Sequence, residues 1–303
     1  MIANPCNPLR MNAVEIIKTA TSGLIGVVGT LTNLVSLTYF LRHDSRSMGS
    51  KLLILLNTFD LFVCISATGV NVFHNVANAS SGTPQLAFDK TTDIFRLLFR
   101  ISTQCTGFTT CLLSITRTIS FIKPFYRVDQ VGIAAASAVH AALIALMETI
   151  VIFLFWTESG KCDIAMNAMN IVELIVLTLI FVLVVCSNTF SVARLKIVVR
   201  SQENMAGINK RATITVFILS VLFCTFNVTF IATYFCYVFM IRIPGTVFWI
   251  AMWLALPLNS ACNPLVYIWR KEHMRQYLRR EWHRVTNRRS ETHTALTRVL
   301  SVV

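Results

Sequence analysis

Seven stretches of this sequence are each long and apolar enough to cross a lipid bilayer, which leaves the chain few folds to choose from. They run over 14–41, 50–77, 90–122, 130–157, 165–195, 209–238 and 244–268, and a helix of about 20 apolar residues spans the hydrocarbon layer. Together they occupy most of the 303 residues and leave no room for a separate soluble domain. The composition, 55% hydrophobic and 14% charged, belongs to the membrane class. A polar segment, 1–13, runs into a full-length span, so no cleavable signal peptide is expected. The expected architecture is an all-α membrane protein. It is a seven-transmembrane helix bundle over 14–268, followed by an amphipathic eighth helix and tail over 269–303.

Orientation follows from the basic residues. With the N-terminus outside, the inner loops carry Arg42, Arg46 and Lys51, then Lys123 and Arg127, then Arg194, Lys196, Arg200, Lys210 and Arg211. The tail adds Arg270, Lys271 and seven further arginines, whereas the outer segments hold only Arg10, Lys161 and Arg242, with Lys18 and Lys90 near helix ends. Positive charge gathers on the cytoplasmic side. The net charge of +13 is therefore a topology signal and an attraction to anionic inner-leaflet lipid, not a nucleic-acid footprint. This places a multi-pass chain in the plasma membrane with an extracellular N-terminus. The sequon at Asn78 then falls in the first outer loop, where glycosylation is expected.

The seventh stretch ends in Asn259-Ser260-Ala261-Cys262-Asn263-Pro264-Leu265-Val266-Tyr267. A proline and two asparagines in hydrocarbon need neighbouring helices or trapped water to satisfy them. This spacing resembles the seventh-helix signature of rhodopsin-like (class A) G-protein-coupled receptors. The third stretch supplies Arg117 with Pro124 seven residues later, the spacing of that family's third-helix motif. Asn33 and the run Leu56-Asn57-Thr58-Phe59-Asp60-Leu61 resemble its first- and second-helix patterns. The resemblance covers the whole chain. It implies a receptor in which Pro264 lets the inner end of the last helix swing and Tyr267 locks the moved state. Arg117 would face a heterotrimeric G protein, and Phe223 would act as a packing switch. An interfacial arginine that snorkels to lipid phosphates is the plainer reading of Arg117. The resemblance also implies a sodium pocket built from Asp60, Ser102, Thr106, Asn259, Ser260 and Asn263, an oxygen-rich set suited to a hard cation. A sodium-free network of polar groups and water is its alternative.

Several family features are altered. Thr116 and Thr118 replace the acid and tyrosine beside Arg117, so the resting lock should be looser. Asn227 stands at the sixth-helix tryptophan and Thr229 at its proline, which removes the usual cause of a kink. Thr92 replaces the third-helix cysteine, leaving Cys162 to pair with Cys6 or Cys236 or to stay free; an outer-face disulfide is chemically permitted. These losses suggest a divergent branch, similar to invertebrate chemosensory or neuropeptide-like receptors.

Charges inside the outer half of the bundle mark the expected ligand site. Arg96 and Arg100 share one face of the third stretch, Arg100 roughly 15 Å below the outer surface. Glu148 and Glu173 lie at comparable depth, with Phe99 and Trp253 among the aromatic residues around them. Intramembrane charges face the bundle interior by default. Either an arginine clamps an anionic group of a small molecule or short peptide through its planar fork, or each arginine is neutralised by a glutamate. Phe99 stands where amine receptors of the family carry an aspartate, which argues against a monoamine. The ending Ser301-Val302-Val303 resembles a PDZ-domain ligand. A transporter or channel would carry an inverted repeat or paired broken helices, and none is evident. An intramembrane enzyme would carry a metal pair or nucleophile dyad, so no enzyme activity and no organic cofactor is expected.

Overall fold

The computed structural model describes residues 13–43, 48–79, 85–122, 132, 137, 139–144, 146, 162–201, 206–284 and 286. Among them there is no strand. The helices are α1 (Ala13–His43), α2 (Met48–Ala79), α3 (Gln85–Ile122), a short described piece α4 (139–144), α5 (Cys162–Ser201) and α6 (Ala206–Val238). A final composite span follows, made of α7 (Gly245–Trp249), a π-helical turn (Ile250–Ala255) and α8 (Leu256–Arg270). A last helix, α9, covers 272–284.

Five segments among the described residues are long and apolar enough to cross a membrane: Ile17–His43, Gly49–Phe73, Asn170–Arg194, Phe217–Val238 and Gly245–Trp269. The third expected span forms a 38-residue helix but does not reach that apolarity. Asp93, Arg96 and Arg100 and a run of buried Ser, Gln and Thr side chains make α3 the polar member of the set. Most of the fourth expected span lies outside the described residues. Leu24, Leu31, Leu179, Leu183, Val221 and Val228 project outward, as they must where lipid is the solvent.

Packing closes a ring in the order α1, α2, α3, α5, α6, α8 and back to α1, with α2 also touching α8 and α3 touching α6 across the middle. Close approach between α1 and its neighbours depends on glycine. A Cβ on Gly29 would overlap Cys64 Sγ of α2 and stand 3.0 Å from Ala261 Cβ of α8. Small residues at such contacts let membrane helices pack backbone to backbone.

The composite last span has two prolines, and α1 answers both. Pro257 has no N–H for the carbonyl of Trp253, and Pro264 none for that of Ser260. Ser22 of α1 donates to Trp253 O at 3.4 Å, while Asn33 of α1 donates to Ser260 O at 3.1 Å. Both side chains are fully buried. Asn71 of α2 donates in turn to Ser22 Oγ at 2.7 Å. The carbonyls freed by proline are thus satisfied by polar groups of the first helix, as hydrocarbon surroundings require.

Candidate functional site

Three groups of the expected site residues fall at three depths of the bundle. At the centre, the fully buried Asp60 of α2 meets α3 and α8. Its Oδ1 accepts from Thr106 Oγ1 at 3.1 Å and its Oδ2 from Asn263 Nδ2 at 2.7 Å; the Ser260 hydroxyl faces the same carboxylate. Ser102 and Asn259 are buried nearby but do not bond to Asp60. Asn259 Oδ1 has no hydrogen-bond partner, and neither has Thr103 Oγ1. Both residues line a cavity with Thr106, Asn227, Leu256 and Ser260 that has room for about one water molecule. Orphaned buried oxygens beside such a void fit a water or a small cation. No group of three His, Cys, Asp or Glu among the described residues would hold a transition metal.

Toward the end of the bundle where α1 and α3 begin, Arg100 is ion-paired with Glu173 of α5, the second of the two arrangements left open by the sequence. Arg100 Nη2 also lies 3.5 Å from Asn170 Oδ1. Tyr234 of α6 closes the group, its hydroxyl 2.7 Å from Glu173 Oε2 and 2.9 Å from Asn170 Oδ1. Glu173 is 7% exposed and the Arg100 side chain 29%. Arg96 is engaged too, 3.1 Å from Asp93 one turn back on α3, with half its side chain exposed. Below them Phe99 is buried against Trp253, ring centroids 5.1 Å apart, within an apolar cluster of Val63, Leu174, Phe230 and Leu256. Phe99 and Trp253 form a packed floor rather than an open aromatic lining.

At the opposite end of the bundle, where α3 ends, Arg117 has no ion-pair partner among the described residues, as the replacement of its neighbouring acid by Thr116 implies. Thr116 Oγ1 bonds back to Leu113 O at 3.0 Å. Thr118 instead ties α3 to α5: its hydroxyl lies 3.0 Å from both Ser187 O and Ser191 Oγ. Asn188 adds a 3.2 Å bond to Ser114 Oγ. This interhelical cluster was not anticipated from sequence, where serines and threonines in a span read as neutral filler. Phe223 of α6 packs between Cys111 of α3 and Ile180 and Val184 of α5. Tyr267 is buried edge-on to Phe40, at 5.7 Å and 81°, and its hydroxyl has no partner. Met274 and Tyr277 dock α9 onto Tyr39 and Phe40 of α1, while Trp282 stays 70% exposed.

Asn78 belongs to the last turn of α2 rather than to a loop, and Cys162 opens α5. The side chains of both, together with Cys6, Pro124, Glu148 and the tail after 286, lie outside the described residues. Cys236, on α6, is a free thiol. Asn227 turns inward and bonds to Phe223 O at 2.8 Å, whereas Thr229 faces outward. Neither a protein-family model nor a curated protein matches this chain.

Proposed function

We propose that this chain is a rhodopsin-like receptor that converts binding in its outer half into activation of a heterotrimeric G protein inside. The reading is of seven spans in the plasma membrane, N-terminus outside. One observation carries it: Asp60, Thr106 and Asn263 lie far apart in sequence, yet meet in one buried hydrogen-bonded group at the centre of the ring. These are residues that the resemblance assigns to a shared central pocket. Asn259 and Ser260 border it, and sodium is the ion this oxygen set suits.

The ligand, a small molecule or short peptide, would engage the Arg100–Glu173–Tyr234 junction, which joins the three helices α3, α5 and α6. A ligand shifts the resting state only by its difference in affinity for the two states. Arg117, with no acid to hold it among the described residues, would face the G protein. The buried, unpartnered hydroxyl of Tyr267 fits a group that gains its partner only after Pro264 lets α8 move. The arginines around α9 and its exposed Trp282 suit a helix lying on anionic inner-leaflet lipid. A PDZ-domain protein is a proposed partner of the carboxyl terminus.

A second reading, a seven-helix receptor that does not couple, is favoured by α6. It runs unbroken from Ala206 to Val238 with Thr229 where the family has its proline. The test is G-protein dissociation in cells expressing the chain, challenged with pooled metabolites and short peptides, beside Arg117→Ala at equal surface expression. A response lost in the variant supports coupling. Silence across all G-protein classes, with the chain at the surface, supports the second reading.

A further inference from the structure

The charge arrangement around Arg100 restricts what can bind there. The more reachable partner of the pair is the cation, with its side chain 29% exposed; the anion, Glu173, is 7% exposed. Glu173 already receives the guanidinium and lies within hydrogen-bond distance of the Tyr234 hydroxyl. One turn outward the pattern repeats, with Arg96 held by Asp93. A ligand carrying only a carboxylate gains Arg100 by taking it from Glu173. That leaves a carboxylate buried without its counter-ion, the costly outcome for any buried pair. A ligand carrying only an ammonium faces the mirror problem at Arg100. A molecule bearing both charges close together meets neither. Its carboxylate takes donors of Arg100 while its ammonium compensates Glu173, and Asn170 Oδ1, 3.5 Å from the guanidinium and 2.9 Å from the Tyr234 hydroxyl, offers a further acceptor.

We propose that the Arg100–Glu173 pair at the α3–α5–α6 junction is a zwitterion site that exchanges its internal ion pair for the two charges of an amino acid or a short peptide. The inference rests on the ligand region proposed above and narrows its chemistry from an anion to a paired-charge ligand. Exchange also has a mechanical consequence. One of the bonds that tie α3 to α5 is replaced by bonds to the ligand, so occupancy and the separation of the two helices at this end are coupled.

The experiment uses the whole chain in lipid nanodiscs and compares three probes of one side chain: a free amino acid, its N-acetyl form and its amide. Phenylalanine and leucine series are run in parallel, with a dipeptide of each. A free amino acid or dipeptide is expected to raise the unfolding temperature and to bind more tightly than its N-acetyl or amide form by about tenfold or more. Glu173→Gln keeps the side-chain size and removes the charge, and it should reverse the order so that the N-acetyl form binds best. Equal or tighter binding of the N-acetyl form to the unaltered chain would overturn the proposal in favour of a plain anion site. Tighter binding of the amide would overturn it in favour of a cation site. No shift with any probe would overturn it as well. G-protein release is read separately in cells. Zwitterion binding without release leaves this site standing and counts against coupling; release by an anion alone, untouched by Glu173→Gln, does the reverse.

Discussion

Replacing Gly29 by alanine adds one methyl group where α1 lies closest to two other helices at once. The new Cβ would overlap Cys64 Sγ on α2 and stand 3.0 Å from Ala261 Cβ and 3.4 Å from its Cα on α8. The cysteine can rotate, but an alanine Cβ cannot, so α1 or α8 must shift. Overpacking of this kind costs about 1–3 kcal/mol. Gly23 in the same helix has nothing within 4 Å of an added Cβ. There alanine brings only its helix preference, a gain of roughly 0.5–1 kcal/mol in water. Both variants share that propensity gain, so the difference between them isolates the packing cost, again about 1–3 kcal/mol. Thermal unfolding in mild detergent measures it, followed with a thiol-reactive fluorophore. Cys64, Cys105 and Cys111 are buried and become reactive only as the bundle opens. Gly29→Ala should unfold at a lower temperature than Gly23→Ala. Midpoints that agree within error would refute the close α1–α8 approach.

Other perturbations follow from contacts already described. Asn33→Leu leaves the Ser260 carbonyl without its donor and should destabilise the protein by about 1–3 kcal/mol in the same unfolding assay. Thr118→Val removes the hydroxyl bridging α3 to α5, worth about 0.6–1.7 kcal/mol in a bilayer. Spin labels on the C-terminal ends of α3 and α5 should report a broader distance distribution in that variant, and an unchanged one would exclude the bridge. Thr116→Asp supplies the missing acid beside Arg117 and should lower basal G-protein signalling at equal surface expression. Asp60→Asn should abolish any effect of sodium on unfolding temperature, whereas a sodium effect that survives would place the ion elsewhere.

Polar residues inside apolar stretches were the legible part of this sequence. Asp60, Asn259, Asn263 and Pro264 stand out because hydrocarbon makes each of them costly, and the structure gathers them at the centre. Arg100 and Glu173 were equally visible, and mutual neutralisation was one of two open outcomes. Periodicity fixes a residue's face only to within a few tens of degrees. Whether two charged tips meet or face a ligand depends on the relative rotation of two helices, which neither sequence encodes alone. The same blindness hid Thr118 and Ser191, because a hydroxyl in a span bonds to its own helix by default. Pro257 and its π turn carry a weaker signal because the Asn-Pro motif about two turns later dominates the same span. Ser22 had no meaning until the carbonyl of Trp253 was placed beside it.

That last pairing bears on how the protein is made. Ser22 and Asn33 lie in α1, yet the carbonyls they satisfy across the bundle are synthesised 231 and 227 residues later. Until those carbonyls arrive, Asn33 donates only to the Gly29 carbonyl of its own helix, and Ser22 lacks its Trp253 acceptor. A nascent chain halted before α8 would therefore hold α1 chiefly through α2, and the ring would stay open.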